Sequence, residues 1–206
     1  QNSIRTRNAR LAAIRAFLKY AALYSPTSLP TIQRVLAIPT KRFQPPCLTF
    51  LSRTEMEAIL AAPDTSRWSG QRDRVMLATM YNTGARVSEI ISLRIADVTL
   101  TPSASVRIQG KGRKLRVVPL WRKTAKQIGQ WLKHISQDPE TPLFPNTVGR
   151  PLTRSGVENR LREAVRSAAR QCPTLNNRRI SPHIIRHTTA MHLLQSGVDL
   201  TVIALW

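Results

Sequence analysis

Acidic side chains are scarce in this sequence. Against 32 lysines and arginines stand 11 aspartates and glutamates, a net charge of +21 over 206 residues. That imbalance fits poorly with an ordinary enzyme of small metabolites. It points to a polyanionic partner, nucleic acid first among them. The few carboxylates are scattered, with no close pair near the basic motifs. This argues against a metal-dependent nuclease or transposase, whose chemistry needs clustered carboxylates. Cysteine is nearly absent. Cys47 and Cys172 stand far apart, without a CxxC pattern or a nearby histidine. No disulfide and no zinc site are expected, and both read as reduced thiols. No apolar run approaches the length of a membrane span, and no charged-then-apolar leader opens the chain, so a cytoplasmic protein is expected. The basic residues are spread along the whole chain rather than gathered on one amphipathic helix, which disfavours a membrane-surface role. No repeat or low-complexity tract is visible. What is present is enough apolar material, 42% of residues, to bury a core.

The chain opens with a basic helix over residues 1–24, with Ile4, Leu11, Ile14, Phe17 and Leu18 at helical spacing among Arg5, Arg7, Arg10, Arg15 and Lys19. Ser25-Pro26 breaks it, and a short helical piece runs from Thr31 to Leu36. Residues 39–50, rich in proline and carrying Lys41 and Arg42, read as a linker between a first part, 1–38, and a second, 51–206. Ser52 with Glu55 fits a capping box ahead of Met56, Ile59 and Leu60. Pro63 to Gly70 reads as loop, Arg72 to Asn82 as helix, and Ala85 to Leu93 as a second, short helix. Val106–Ile108 and Leu115–Val118 are strands flanking Gly110-Lys111-Gly112-Arg113-Lys114, a glycine-bounded hairpin tip. Thr124 begins a helix with Ile128, Leu132 and Ile135 on its core side. A proline-rich loop runs from Asp138 to Leu152. Thr153 caps a helix with Val157, Leu161, Ala164, Val165 and Ala168 on one stripe and arginines outside. Ser181 and Pro182 open the next helix, and Gly197 stops it. Asp199 caps a last helix that lacks a C-cap or polar tail, so the chain reads as a fragment.

Three stretches could carry chemistry. In Ser181-Pro182-His183-Ile184-Ile185-Arg186-His187, His183 and Arg186 are three apart and share a helical face near its positive end, which makes an anion site. Arg86 lies in Thr83-Gly84-Ala85-Arg86-Val87-Ser88-Glu89. Lys111 lies at the hairpin tip, before Val117-Val118-Pro119-Leu120, with Arg113 and Lys114 beside it as rival candidates.

Together, in this order, these stretches resemble the tyrosine recombinase (phage integrase) family, in its Xer-like bacterial branch. The resemblance covers Leu51 to Trp206. It implies a mainly α fold with a small antiparallel β-hairpin, an α+β catalytic domain incomplete at its C-terminus, preceded by the end of a helical core-binding domain. It implies a site-specific recombinase or integrase that breaks and rejoins DNA by metal-independent transesterification through a 3′-phosphotyrosine, with no cofactor. Arg86 and Arg186 would hold the scissile phosphate, since guanidinium forks suit charge on its non-bridging oxygens. Lys111 would protonate the leaving oxygen, and His183 would share in proton transfer. Glu89 would orient the pocket, though it also reads as an ordinary helix-support carboxylate, and His187 would support it. Candidate DNA contacts are Arg5, Arg7, Arg10, Arg15, Lys41, Arg42, Arg113, Lys114, Arg154 and Arg160. Trp68, Trp121, Trp131 and Trp206 read as core or groove-lining, His192 as structural, and Tyr81 as a packing residue.

The sequence departs from the family pattern in one respect. Its only tyrosines are Tyr20, Tyr24 and Tyr81, and none takes the nucleophile's place. Double-stranded DNA is the expected partner. A tetramer on DNA is expected of an intact protein, a monomer of this chain, and a nucleoid-associated location follows. The other reading is a non-catalytic DNA-binding relative.

Overall fold

The computed structural model of the chain describes residues 2–43, 49–110, 112 and 114–206. Cys47, Lys111 and Arg113 lie outside them, as does part of the expected linker. The chain divides into two compact units, Gln1–Cys47 and Leu48–Trp206. In the first, helix α1 (Ile4–Ala21) packs on α2 (Leu29–Leu36). Ser3 caps α1 by accepting from the Thr6 amide at 3.1 Å.

The second unit is a helical body with a small sheet. Its helices are α3 (Arg53–Ala61), α4 (Trp68–Thr83), α5 (Val87–Ser92), α6 (Arg122–Trp131), α7 (Arg154–Ala168), α8 (Pro182–Gln195) and α9 (Leu200–Leu205). Strands β1 (Val98–Thr99), β2 (Ser105–Gln109) and β3 (Leu115–Pro119) form an antiparallel sheet in that order, with Val106 opposite Val118 and Gln109 opposite Leu115. Ser52 and Glu55 close the expected capping box at α3. Helix α4 is the central element. It is buried on nearly every side and packs against α3, α6 and α8. A helix apolar on one face only would leave a side wet; this one has Val75, Met76, Leu77 and Met80 all inside. Trp131 is fully buried, and its indole N–H donates to the Leu143 carbonyl at 2.8 Å, so the aromatic fills the core without an orphaned donor.

Three sequence expectations shift. Helix α4 starts at Trp68, inside the stretch expected to be loop. Gly70 is there for close approach: a Cβ on it would lie 1.9 Å from the Asp64 carbonyl oxygen. Helix α5 starts at Val87, because Gly84 turns the chain with φ +58° and leaves Arg86 extended at the N-cap. The Ser181 side chain makes no capping bond; Pro182 alone marks the start of α8. Gly197 ends α8 as expected, with φ +83°.

Candidate phosphate site

The site is built where α4 ends, α5 begins and α8 crosses. Thr83 and Gly84 close α4, and the left-handed Gly84 directs Ala85 and Arg86 back across the body. Arg86 then caps α5 from extended backbone. Its own amide donates to Glu89 Oε2 at 2.8 Å, and its Nη1 donates to Glu89 Oε1 at 3.1 Å. The Glu89 side chain is 4% exposed, while that of Arg86 is 51% exposed. The carboxylate is therefore a buried anchor, and the guanidinium projects toward solvent from it.

Helix α8 is fastened to the same corner. Thr189 Oγ1 donates to the Tyr81 carbonyl at 2.7 Å, and the Leu51 amide donates to Thr188 Oγ1 at 3.0 Å. Arg186 Nη1 donates to the Gly84 carbonyl, one of the orphan acceptors at the end of α4. This bond fixes one edge of the guanidinium, and its other donors make no hydrogen bond among the described residues. Burial, then the positive charges of Arg86 and Arg116, hold the Arg186 guanidinium below its usual pKa, against the pull of Glu89. An arginine does not lose its proton for this. The shift reports burial first and the neighbouring positive charges second.

Arg86, His183 and Arg186 line a single cleft of about 110 Å³, together with Ser88, Arg154 and Glu158. Ligand pockets for drug-sized molecules run to roughly 300–1,000 Å³, so this cleft suits a group the size of a phosphate. Three larger cavities, two of about 460 and 390 Å³ along α6 and one of about 210 Å³ between α4 and α7, contain none of the motif residues. Among the described residues, no three His, Cys, Asp or Glu side chains cluster as metal ligands.

The other candidate residues are placed as follows. His183 is exposed at the mouth of the cleft. His187 is exposed as well but does not line the cleft, so its supporting contact is not seen here. Lys114 is exposed, and its carbonyl accepts from the Gly110 amide at 2.8 Å to close the hairpin base. Arg154 lines the cleft, and Arg160 pairs with Glu163 at 3.1 Å. In the first unit Arg5 stacks 5.3 Å from the Phe43 ring, while Arg10, Lys41 and Arg42 are exposed. Arg7 Nη1 donates to the Pro39 carbonyl at 3.3 Å. Arg15 differs from expectation: it is half-buried, and its Nη2 donates to the carbonyls of Leu36 and Ile38, capping the end of α2. His192 is buried against Tyr81, with Nδ1 and the hydroxyl 2.6 Å apart, so both have the packing role expected of them.

One site residue was missed. Arg116 on β3 donates from Nη2 to Glu89 Oε2 at 2.8 Å and from Nη1 to Glu89 Oε1 at 3.2 Å. A signal existed in the strand's alternation. Arg116 and the buried Val118 share one face of β3, while Leu115 and Val117 are exposed on the other. A charge on the inward face demands a buried partner.

Comparison with known proteins bears on this geometry. Residues 49–205 match the profile described as the phage integrase family. A Sinorhizobium fredii protein provisionally named integrase/recombinase y4rC is 45% identical over 204 residues, covering 99% of this chain and 61% of that protein. Tyrosine recombinase XerD of Pseudomonas putida is 33% identical over 202 residues, covering 94% of this chain and 63% of that protein. The chain thus spans less than two thirds of the length of these two relatives. Among solved structures, XerH site-specific recombinase bound to difH substrate, in a pre-cleavage complex, superimposes with a TM-score of 0.63 at 27% identity, covering 81% of this chain and 48% of that one. The helical body with its small sheet, the corner at Arg86 and the profile match across 49–205 place this chain in the phage integrase family of tyrosine recombinases.

Proposed function

We propose that this chain is the DNA-binding, phosphate-holding body of a site-specific recombinase or integrase. The reaction is strand breakage and rejoining by metal-independent transesterification through a 3′-phosphotyrosine. The observation that supports this most is the meeting of Arg86 with His183 and Arg186 on one small cleft, although Arg86 stands about a hundred residues before the other two in sequence. In the proposed step Arg86 and Arg186 donate to the two non-bridging oxygens as negative charge builds on them. His183 exchanges a proton with the attacking hydroxyl, and Lys111 gives one to the leaving 5′-oxygen. Tyr81 is a poor nucleophile here, since its hydroxyl is bonded to His192 and burial raises its pKa. Tyr81 is therefore not assigned as the attacking tyrosine.

Residues 1–38 are assigned to the end of a core-binding domain, 39–50 to a linker and 51–206 to the catalytic domain. The partner is duplex DNA in a bacterial cytoplasm, at the nucleoid. An intact protein would act as a tetramer, and this chain alone as a monomer. Tyr81, the one tyrosine of the second unit, does not line the cleft, which favours one other reading, a DNA-binding relative that does not cut.

An external nucleophile separates the two. The chain is incubated with a pool of random duplexes and hydrogen peroxide, and strand breaks are read on a denaturing gel. The recombinase reading expects peroxide-dependent cleavage that is lost in Arg186→Ala. Binding without any cleavage supports the non-cutting relative. Absence of DNA binding, or a covalent adduct at Tyr20, Tyr24 or Tyr81, would overturn the assignment.

A further inference from the structure

The geometry points to Arg116 as a positioning residue for Arg86: its fork occupies one side of the Glu89 carboxylate and so keeps that carboxylate from drawing Arg86 out of the phosphate cleft. This rests on the reading that the cleft holds a phosphate.

An ionised carboxylate offers about four lone-pair sites, two on each oxygen. All four are used at Glu89. Oε2 accepts from the Arg86 amide at 2.8 Å and from Arg116 Nη2 at 2.8 Å. Oε1 accepts from Arg86 Nη1 at 3.1 Å and from Arg116 Nη1 at 3.2 Å. Arg116 thus makes the two-pronged contact that guanidinium and carboxylate prefer. Arg86 touches Glu89 through a single side-chain nitrogen. Its remaining donors are left over for a ligand, and its side chain stays half exposed.

Charge reinforces the argument. Glu89 is buried, and one arginine alone would be neutralised by it. With Arg116 present, the triad of two arginines around one buried carboxylate carries a net positive charge next to Arg186. Without Arg116, two lone pairs open on Glu89, and Arg86, already bonded to both of its oxygens, can turn and take them. The phosphate would then lose both a donor and a charge. Burial raises the Glu89 pKa, but Arg116 and Arg86 together outweigh it and hold the carboxyl below its usual value, so the carboxylate stays ionised.

Arg116 is itself fixed on a third side. Its Nε donates to the Trp206 carbonyl at 2.6 Å. Gly110, at the hairpin base, also packs on the pair: a Cβ there would meet Arg116 Nη1 and Glu89 Oε1, each at 3.5 Å. The same ion pair therefore sits beneath the hairpin whose sequence carries Lys111.

The test is a titration of the chain with inorganic phosphate, followed through the arginine side-chain Nε–H signals in nitrogen-15 spectra. In the wild type, the Arg86 and Arg186 signals move together toward saturation. In Arg116→Gln the Arg86 response needs about tenfold more phosphate, the size of one lost charge-assisted hydrogen bond, while the Arg186 response moves less. Removing the competing carboxylate as well, in Glu89→Gln with Arg116→Gln, restores the Arg86 response; a merely structural role would make that double variant worse. Arg116→Lys keeps the charge but not the fork, and it gives a response between the two. Should Arg116→Gln fail to fold, judged by its backbone amide spectrum, Arg116→Lys decides: a response equal to the wild type's overturns the assignment. An unchanged Arg86 response in folded Arg116→Gln overturns it too. If neither Arg86 nor Arg186 responds in the wild type, the phosphate reading itself falls, and this assignment with it.

Discussion

Raising salt should strip this chain from duplex DNA with a slope that its side-chain environments set. Of the basic residues read as DNA contacts, Arg15 is engaged with the carbonyls of Leu36 and Ile38, Arg7 with that of Pro39, and Arg160 with Glu163. Arg5, Arg10, Lys41, Arg42, Lys114 and Arg154 remain exposed, and none of them makes an ion pair among the described residues. Taking these as about six phosphate contacts, the slope of log K against log salt is about −0.9 per contact, or roughly −5 in all. Between 50 and 200 mM salt the affinity should then fall about a thousandfold. Fluorescence anisotropy with a labelled duplex measures this directly. The structure adds a sharper test. Arg10→Gln should flatten the slope by about 0.9, because an exposed cation is lost. Arg15→Gln should leave the slope nearly alone and lower the stability of the first unit, since it removes a helix C-cap. A total slope shallower than about −2, or equal flattening by both substitutions, would refute the reasoning.

Gly70→Ala should cost on the order of 3 kcal/mol, at the upper end for overpacking, because the contact at 1.9 Å is with backbone and cannot swing aside; the urea midpoint reads it. Tyr81→Phe should destabilise by about 1–3 kcal/mol by leaving buried His192 Nδ1 without its partner, yet leave the phosphate titration unchanged. Acid should weaken the fold through Glu55. Burial alone would raise this carboxyl, but the Ser52 amide, Thr174 and Arg178 together hold it below its usual value. A carboxyl depressed in the folded state stabilises fully above its unfolded pKa, and that stability is lost as pH falls through the folded one. Asp73, raised by burial against Arg72, acts in the opposite sense. Glu55→Gln should therefore flatten the fall in Tm between pH 5 and pH 3, and an unaltered profile would count against it.

Local signals read well in the sequence where one interaction decides the outcome. The Ser52–Glu55 capping box and the two strands of the hairpin are of this kind, since each is set by a short local pattern. Reading failed where distant backbone decided. Gly70 looks like a loop residue, and only the path of Asp64 across it shows why a helix needs glycine there. Strand β1 is two residues long and has no period to read. Arg86 and Arg186 stand out because their stretches resemble family motifs, and the structure adds that the two line one cleft. Arg116 does not stand out, because its partner Glu89 lies 27 residues earlier, on another element. Arg15 was read as surface because its acceptors, the last carbonyls around α2, depend on how two helices pack.

The scarcity of carboxylates acquires a structural sense from their positions. Glu55, Asp73 and Glu89 are all buried, and each faces arginine: Glu55 faces Arg178 at 2.7 Å, Asp73 faces Arg72 at 2.7 Å, and Glu89 faces both Arg116 at 2.8 Å and Arg86 at 3.1 Å. A buried charge without a partner would be costly, so each of these acids exists together with its arginine. Asp97, Glu140 and Glu163 do the same for surface arginines, where exposure makes the pairing worth little in energy. These six acids thus act as clamps that orient particular guanidiniums. The large excess of lysine and arginine over acid, +21 in all, attracts a polyanion. Orientation at the cleft must then come from within, and there a single buried carboxylate holds two arginines in place while a third, Arg186, is held by the backbone of Gly84. Affinity and precision are in this way set by different residues, so neutralising an exposed arginine should change binding at all sequences, while disturbing Glu89 or Arg116 should change what happens at one phosphate.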